Sequence, residues 1–228
     1  MRQTWDDLLF AHWPLPATVL APRIPAPLAL DVFDGQAWLA ITPFKISRLR
    51  LRGLPPLPGA SAFPELNVRT YVRFGDKPGV FFFSLDAASS LAVFGARRFF
   101  HLPYFHARMN TELTGDTVHY VSKRLAGSDH RATLLSATYR PCGEACTRKS
   151  PLEHFLTERY CLYTVWREKL WRCEIHHLPW QLQPAEAEFT QNTMAQAAGI
   201  ELPGTRSLLH FSKSLDVLIW RLKPVFSF

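Results

Sequence analysis

The stretch Leu66-Asn67-Val68-Arg69-Thr70-Tyr71-Val72-Arg73-Phe74 decides how this chain folds. Leu66, Val68, Thr70, Val72 and Phe74 fall on one side of a period-two pattern, and Asn67, Arg69, Tyr71 and Arg73 on the other. Successive side chains leave a β-strand on opposite faces, so this alternation is a strand. Val80–Leu85 follows as a second apolar strand, with Pro78-Gly79 as the predicted turn, and 66–85 reads as a hairpin.

Working outward from the hairpin, more strands appear. Upstream, Phe44–Arg52 sets Arg48, Arg50 and Arg52 against Leu49 and Leu51, and Gln36–Ile41 is a buried strand. Residues 1–30 are broken by Pro14, Pro16, Pro22, Pro25 and Pro27. They read as an irregular arm or short helix packed through Trp5, Phe10 and Trp13, and Gly53–Pro64 reads as a loop. Downstream, Asp86 stands at the N-cap of a helix over Ala87–Phe100, which Pro103 ends. Tyr104–Leu113, Val118–Leu125 and Arg131–Tyr139 are strands, the last two joined across Gly127-Ser128-Asp129. Ser150-Pro151-Leu152-Glu153 opens a helix to about Arg159 by supplying a cap, a first-turn proline and a capping-box glutamate. Tyr160–Arg167 and Leu170–His176 face each other across Glu168-Lys169, and His210–Trp220 is extended. Pro184–Ala198 reads as a helix closed by Gly199. The result is a mainly β, α+β chain with three short helices. One domain over residues 1–228 is expected, curled toward a barrel that would remove exposed strand edges.

Composition supports a folded chain. Apolar residues make up 47% of 228 and charged residues 20%, which excludes a disordered protein. The net charge is +7, and seven of the 26 basic residues are lysine, the rest arginine. The basic residues form no Lys/Arg-rich run, which argues against nucleic-acid binding. Met1-Arg2-Gln3-Thr4-Trp5-Asp6-Asp7 is acidic where a secretory signal is basic. The uncharged segment from Leu8 to Ala21 contains two prolines and is shorter than the ~20 residues a spanning helix needs. A cytoplasmic protein without membrane association is expected. Cys142 and Cys146, with His154 or His176, lack paired Cys-x-x-Cys knuckles, so no metal site is expected, and no cofactor motif occurs.

Six segments carry a resemblance: Phe10-Ala11-His12-Trp13-Pro14, Asp31-Val32-Phe33-Asp34-Gly35, Asn67-Val68-Arg69-Thr70-Tyr71-Val72, Phe83-Ser84-Leu85-Asp86-Ala87, Leu102-Pro103-Tyr104 and Thr157-Glu158-Arg159-Tyr160. Together they resemble the YqjF-like family of bacterial proteins, a family of unknown function. The resemblance implies a fold related to acetoacetate decarboxylase, a curved antiparallel barrel with an internal pocket. Proteins of that more distant group carry a glutamate before a hairpin, an aspartate opening a helix, Gly-Arg-Glu and Pro-Lys-Lys with the Schiff-base lysine. Glu65 and Asp86 stand near the two acidic positions here, and Gly95-Ala96-Arg97-Arg98 near Gly-Arg-Glu. Leu102-Pro103-Tyr104-Phe105 falls at Pro-Lys-Lys, so Tyr104 and Phe105 replace both lysines. Neither side chain can form an imine.

Candidate ligand-binding residues are therefore Arg69, Tyr71, Arg97 and Tyr104. Arg69 offers two parallel hydrogen bonds to a carboxylate, or else pairs structurally with Glu65 or Asp86. Arg97 is chosen by the resemblance, and Tyr104 offers a phenol where the lysine is lost. His101, His106 and Glu65 are the candidates for acid–base chemistry. His176 and His177, adjacent on a strand, point to opposite faces and make a poor metal pair. The expected function is binding of a small organic acid or carbonyl compound in an internal pocket. The alternative is a lyase, hydrolase or isomerase that works without a Schiff base on the same barrel.

Overall fold

The computed structural model describes residues 1–56, 61–125, 133–146, 148–204 and 207–225. Its strands are β1 (Arg2–Pro16), β2 (Ala29–Leu30), β3 (Gln36–Arg50), β4 (Phe63–Phe74), β5 (Lys77–Ala87), β6 (Tyr104–Thr114) and β7 (Thr117–Arg124). They continue as β8 (Leu134–Pro141), β9 (Cys161–Trp166), β10 (Lys169–His177), β11 (Gln183–Asn192), β12 (Leu208–Ile219) and β13 (Lys223–Pro224). The α-helices are α1 (Ala17–Leu20), α2 (Ser90–Phe100) and α3 (Pro151–Thr157). All thirteen strands belong to one sheet, in the order β13-β10-β9-β5-β6-β7-β8-β11-β12-β1-β3-β4-β2. Further pairings of β5 with β4 and of β10 with β12 close it on itself. The closure gives a curved ring rather than a regular barrel, because β5 and β12 each pair on both routes.

The double closure makes β1, β3 and β4 a central wall with a core on each side. Phe10, Trp38, Phe44 and Tyr71 face one cluster, while Leu9, Ala11, Leu39, Ile41, Leu66 and Val68 face the other. A strand buried on both faces loses its polar alternation. That is why β1, expected as an irregular arm, is a 15-residue strand. Its prolines fit because pairing with β12 ends at His12, so Pro14 and Pro16 have a free edge on that side. Two of the sheet's bulges set which residues face inward near the first core. One extra residue lies in β1 between Asp6 and Ala11, where Asp7 has φ +50°. The other lies in β5 at Phe83, so that Val80, Phe82 and Leu85 all reach the first core.

Several expected boundaries move. The β4–β5 turn is at Gly75-Asp76, with Gly75 at φ +56°, and Pro78-Gly79 lies inside β5. Gly79 is needed there because a Cβ would meet Cys161 Sγ at 2.7 Å and the Cys161 carbonyl oxygen at 2.8 Å. Asp86 is the penultimate residue of β5 and caps nothing. Ser89 caps α2, its Oγ accepting from the Ala92 N–H. The capping box of Ser150 and Glu153 forms as expected and α3 ends at Thr157. The helix expected over 184–198 is instead β11, paired with β8, followed by one 3-10 turn at Gln196–Ala198. Its Ala and Glu residues are good helix formers, but packing of the partly buried Ala185, Ala187 and Phe189 against the second core overrides that local preference. The turn expected at 127–129 lies outside the described residues. Among the described residues, no helix is long and apolar enough to cross a membrane.

Candidate functional site

The first core is not filled. A cavity of about 90 Å³ opens within it, well above the ~10–15 Å³ that admits a single water. Glu65, Asn67 and Arg69 enter it from one face of β4, and their cross-strand neighbours Phe44 and Thr42 enter from β3. Val80, Phe82 and Leu85 of β5, Leu162 of β9 and Ile175 of β10 give it apolar walls. Ala96 and Phe100 of α2, with Leu102 and Tyr104, line it near the helix. Trp5, His177 and Trp180 line it where β10 meets β12 and β1.

Glu65 is buried and has no ion-pair partner among the described residues. The Tyr104 hydroxyl donates to its Oε2 at 2.8 Å. Burial pushes the Glu65 carboxyl up to about 8, and the Tyr104 hydrogen bond offsets only part of this. Glu65 is therefore a neutral acid at pH 7. Tyr104 is raised well above the ordinary phenol value by burial and by the neighbouring Glu65.

Arg69 is 9% exposed. Neither expected acidic partner holds it. Glu65 is bound to Tyr104, and Asp86 takes three hydrogen bonds from Arg124, as short as 2.7 Å. The Arg69 guanidinium lies 5.4 Å from the Phe10 ring centroid and interacts with the Tyr71 side chain, while its Nε has no hydrogen-bond partner among the described residues. Three further cavity-lining residues also hold buried polar atoms without a partner among the described residues: Trp5 Nε1, Thr42 Oγ1 and Asn67 Oδ1. Unpaired polar groups in an apolar cavity each carry a desolvation cost that a ligand can recover.

The other candidates lie elsewhere. Tyr71 is fully buried outside the cavity wall, where its hydroxyl donates to the Leu156 carbonyl at 2.8 Å and approaches His12 Nε2 at 2.7 Å. Arg97 is on the exterior, donating to the Tyr104 carbonyl at 2.6 Å and lying over the Phe105 ring. His101 caps the C-terminus of α2 at φ +52° and stacks on Trp166 at 3.9 Å. His106 is exposed, with Nε2 at 3.2 Å from the Ala88 carbonyl. The structure therefore brings Glu65, Arg69 and Tyr104 together and leaves Tyr71, Arg97, His101 and His106 outside the cavity. Sequence reasoning did not select His177, Trp5 or Thr42. They come from three strands far apart in the chain, so no local signal joins them. Asn67 could have been found, since it shares the strand face of Arg69.

None of the seven lysines is among the described residues that line the cavity. Lys213 is on the exterior, bound to Asp7 at 2.6 Å. Cys142 is exposed and all four thiols are free. Among the described residues, no three His, Cys, Asp or Glu side chains converge as metal ligands.

A closed curved sheet around a polar-tipped apolar cavity defines a protein of the acetoacetate decarboxylase-like fold. An acetoacetate decarboxylase from Legionella pneumophila matches at a TM-score of 0.64 and 15% identity, over 99% of this chain and 87% of that one. The enduracididine biosynthesis enzyme MppR complexed with pyruvate matches at a TM-score of 0.67 and 11% identity, over 98% and 89%. The chain itself belongs to the DUF2071 family, described as an uncharacterized conserved protein, whose model matches residues 2–216. The uncharacterized protein YqjF of Bacillus subtilis is 53% identical over 224 residues, 98% of this chain and 91% of that protein.

Proposed function

We propose that the cavity binds a small organic acid or carbonyl compound without covalent chemistry. Arg69 is the charge anchor. The Glu65–Tyr104 pair is the hydrogen-bonding end, with Tyr104 holding the neutral carboxyl in place. The observation that carries this reading is a buried guanidinium with no carboxylate partner, and with Nε unpartnered, among the described residues, facing a cavity with three more residues that hold unpartnered polar atoms. A guanidinium in that state satisfies its missing contact with an anionic ligand. The cavity volume suits a molecule of a few heavy atoms. A structural relative described in complex with pyruvate supports the size and class. The absence of lysine from the described cavity wall supports non-covalent binding.

Pyruvate titration by calorimetry and saturation-transfer NMR tests the proposal. Binding is expected to weaken at least ~10-fold in Arg69→Met, since hydrogen bonds to a charged group contribute about 1.5–3 kcal/mol. Borohydride treatment with pyruvate present is expected to leave the protein mass unchanged. A lysine adduct, or equal binding by Arg69→Met, would sink the reading.

A further inference from the structure

The cavity holds one more polar group that the binding reading does not use. His177 ends β10 and is 4% exposed. Its Nδ1 lies 2.7 Å from the Leu178 carbonyl oxygen. A carbonyl oxygen can only accept, so Nδ1 carries the hydrogen. In the neutral ring, Nε2 is then the lone-pair nitrogen. The ring is fixed by Trp180 and Tyr160, with centroids at 5.2 and 4.8 Å, and by Trp5 at 6.4 Å. Trp5 also packs against Phe44, the cross-strand partner of Glu65, so Trp5 links the His177 side of the cavity to the Glu65 side. At that other end Glu65 Oε2 already accepts from Tyr104, which leaves the acidic hydrogen to Oε1.

We propose that this cavity is a proton-transfer site, in which His177 Nε2 takes a proton from the carbon beside a ligand carbonyl and Glu65 Oε1 gives one to the carbonyl oxygen. The inference rests on the binding reading, because Arg69 must hold the carboxylate end of the ligand. In the forward step the C–H bond breaks and its electron pair forms the C=C bond of an enol. The C=O π pair takes the proton of Glu65. His177 becomes a cation and Glu65 a carboxylate. The reverse step returns the proton to carbon and restores both groups. The two steps conserve atoms and electrons and need no cofactor. In heavy water they replace carbon-bound hydrogen with deuterium.

The environments of the two groups fit these roles. A useful acid and base have values pushed apart by their surroundings, so that each is in the right state near neutrality. Burial lowers His177, with Arg69 and His176 adding to the effect while the Leu178 carbonyl and Glu158 oppose it. His177 is therefore a neutral base at pH 7, and Glu65 a neutral acid.

The test is deuterium exchange of the pyruvate methyl group in D2O, followed by proton NMR with the full chain. Saturation transfer on the same sample reports binding. Exchange is expected to rise with protein concentration and to fall about 100-fold or more in His177→Gln, the usual scale for losing a positioned base. His176→Gln, altered on the opposite face of the strand, is expected to exchange at the wild-type rate. Glu65→Gln is expected to bind pyruvate but exchange slowly. If His177→Gln does not fold, the pH profile decides. Exchange must decline as pH rises through about 8, where Glu65 loses its proton, and must decline again in acid, where His177 gains one. Binding without exchange, or exchange unchanged in Glu65→Gln, overturns proton transfer but leaves the binding reading standing. No binding overturns both. Exchange accompanied by a borohydride-trapped lysine overturns the inference in favour of an imine route.

Discussion

A buried guanidinium without a carboxylate partner costs several kcal/mol in desolvation, and Arg69, with none among the described residues, carries such a cost at the cavity wall. Arg69→Met keeps an unbranched apolar stem and removes the charge. Its expected effect in urea denaturation is a stability gain of about 1–2 kcal/mol, together with the loss of pyruvate binding. A site retained at the expense of stability behaves this way, whereas a purely structural arginine would destabilise when replaced. Glu65 adds a pH dependence. Its value is about 8 in the fold against an ordinary 4.5, so between these limits the folded state binds more protons than the unfolded chain. Its contribution to stability is complete below about pH 4.5 and is lost as pH rises through about 8. Comparing denaturation at pH 5.5 and 8.5 checks this. The wild type is expected to lose more stability over that interval than Glu65→Gln, which cannot titrate.

Among the elements, the β4–β5 hairpin is both the most legible and the most exacting. Its alternation places Glu65, Asn67 and Arg69 on one face, so sequence alone predicts that they share an environment. What that face meets depends on β9, which runs parallel to β5 and pairs through Val80↔Leu162 and Phe81↔Tyr163. Gly79 permits this approach. Gly79→Ala would press a methyl group into Tyr163 Cε2 at 2.7 Å as well as the Cys161 carbonyl. A backbone oxygen cannot step aside as a flexible side chain can. A loss of about 2–3 kcal/mol or more in chemical denaturation is expected, the range for overpacking. β11 shows the limit of local reading. Its Ala, Glu and Gln residues read as helix, yet pairing with β8 gives each inward side chain a core partner that an isolated helix could not have.

At the scale of the whole molecule, a buried pair ties β5 to β7 across the intervening β6. Asp86 of β5 and Arg124 of β7 are 0% and 4% exposed at their side chains, and the Phe105 ring lies 3.9 Å from the Arg124 guanidinium. Phe105 stands where the resemblance expects a lysine, and it covers this ion pair outside the cavity wall. Asp86→Ala leaves Arg124 uncompensated and is expected to cost about 3–5 kcal/mol, read as a fall in denaturation midpoint. Replacing both, as Asp86→Leu with Arg124→Met, is expected to recover most of that loss, because the desolvation cost of both charges disappears together.

The amino-acid order alone determined the hairpin, the capped helix α3 and the mainly β character. These follow from rules that act over a few residues, such as side-chain alternation and capping. Only the tertiary structure decided that Arg69 lacks a carboxylate partner among the described residues, that Asp86 belongs to Arg124 and that Tyr104 holds Glu65. It alone brought His177 from residue 177 to the same cavity. Those outcomes depend on strands more than 35 residues apart meeting across a closed sheet. The energy that selects such meetings comes from burying both faces of β1, β3 and β4, and no short window of sequence contains both partners of such a contact.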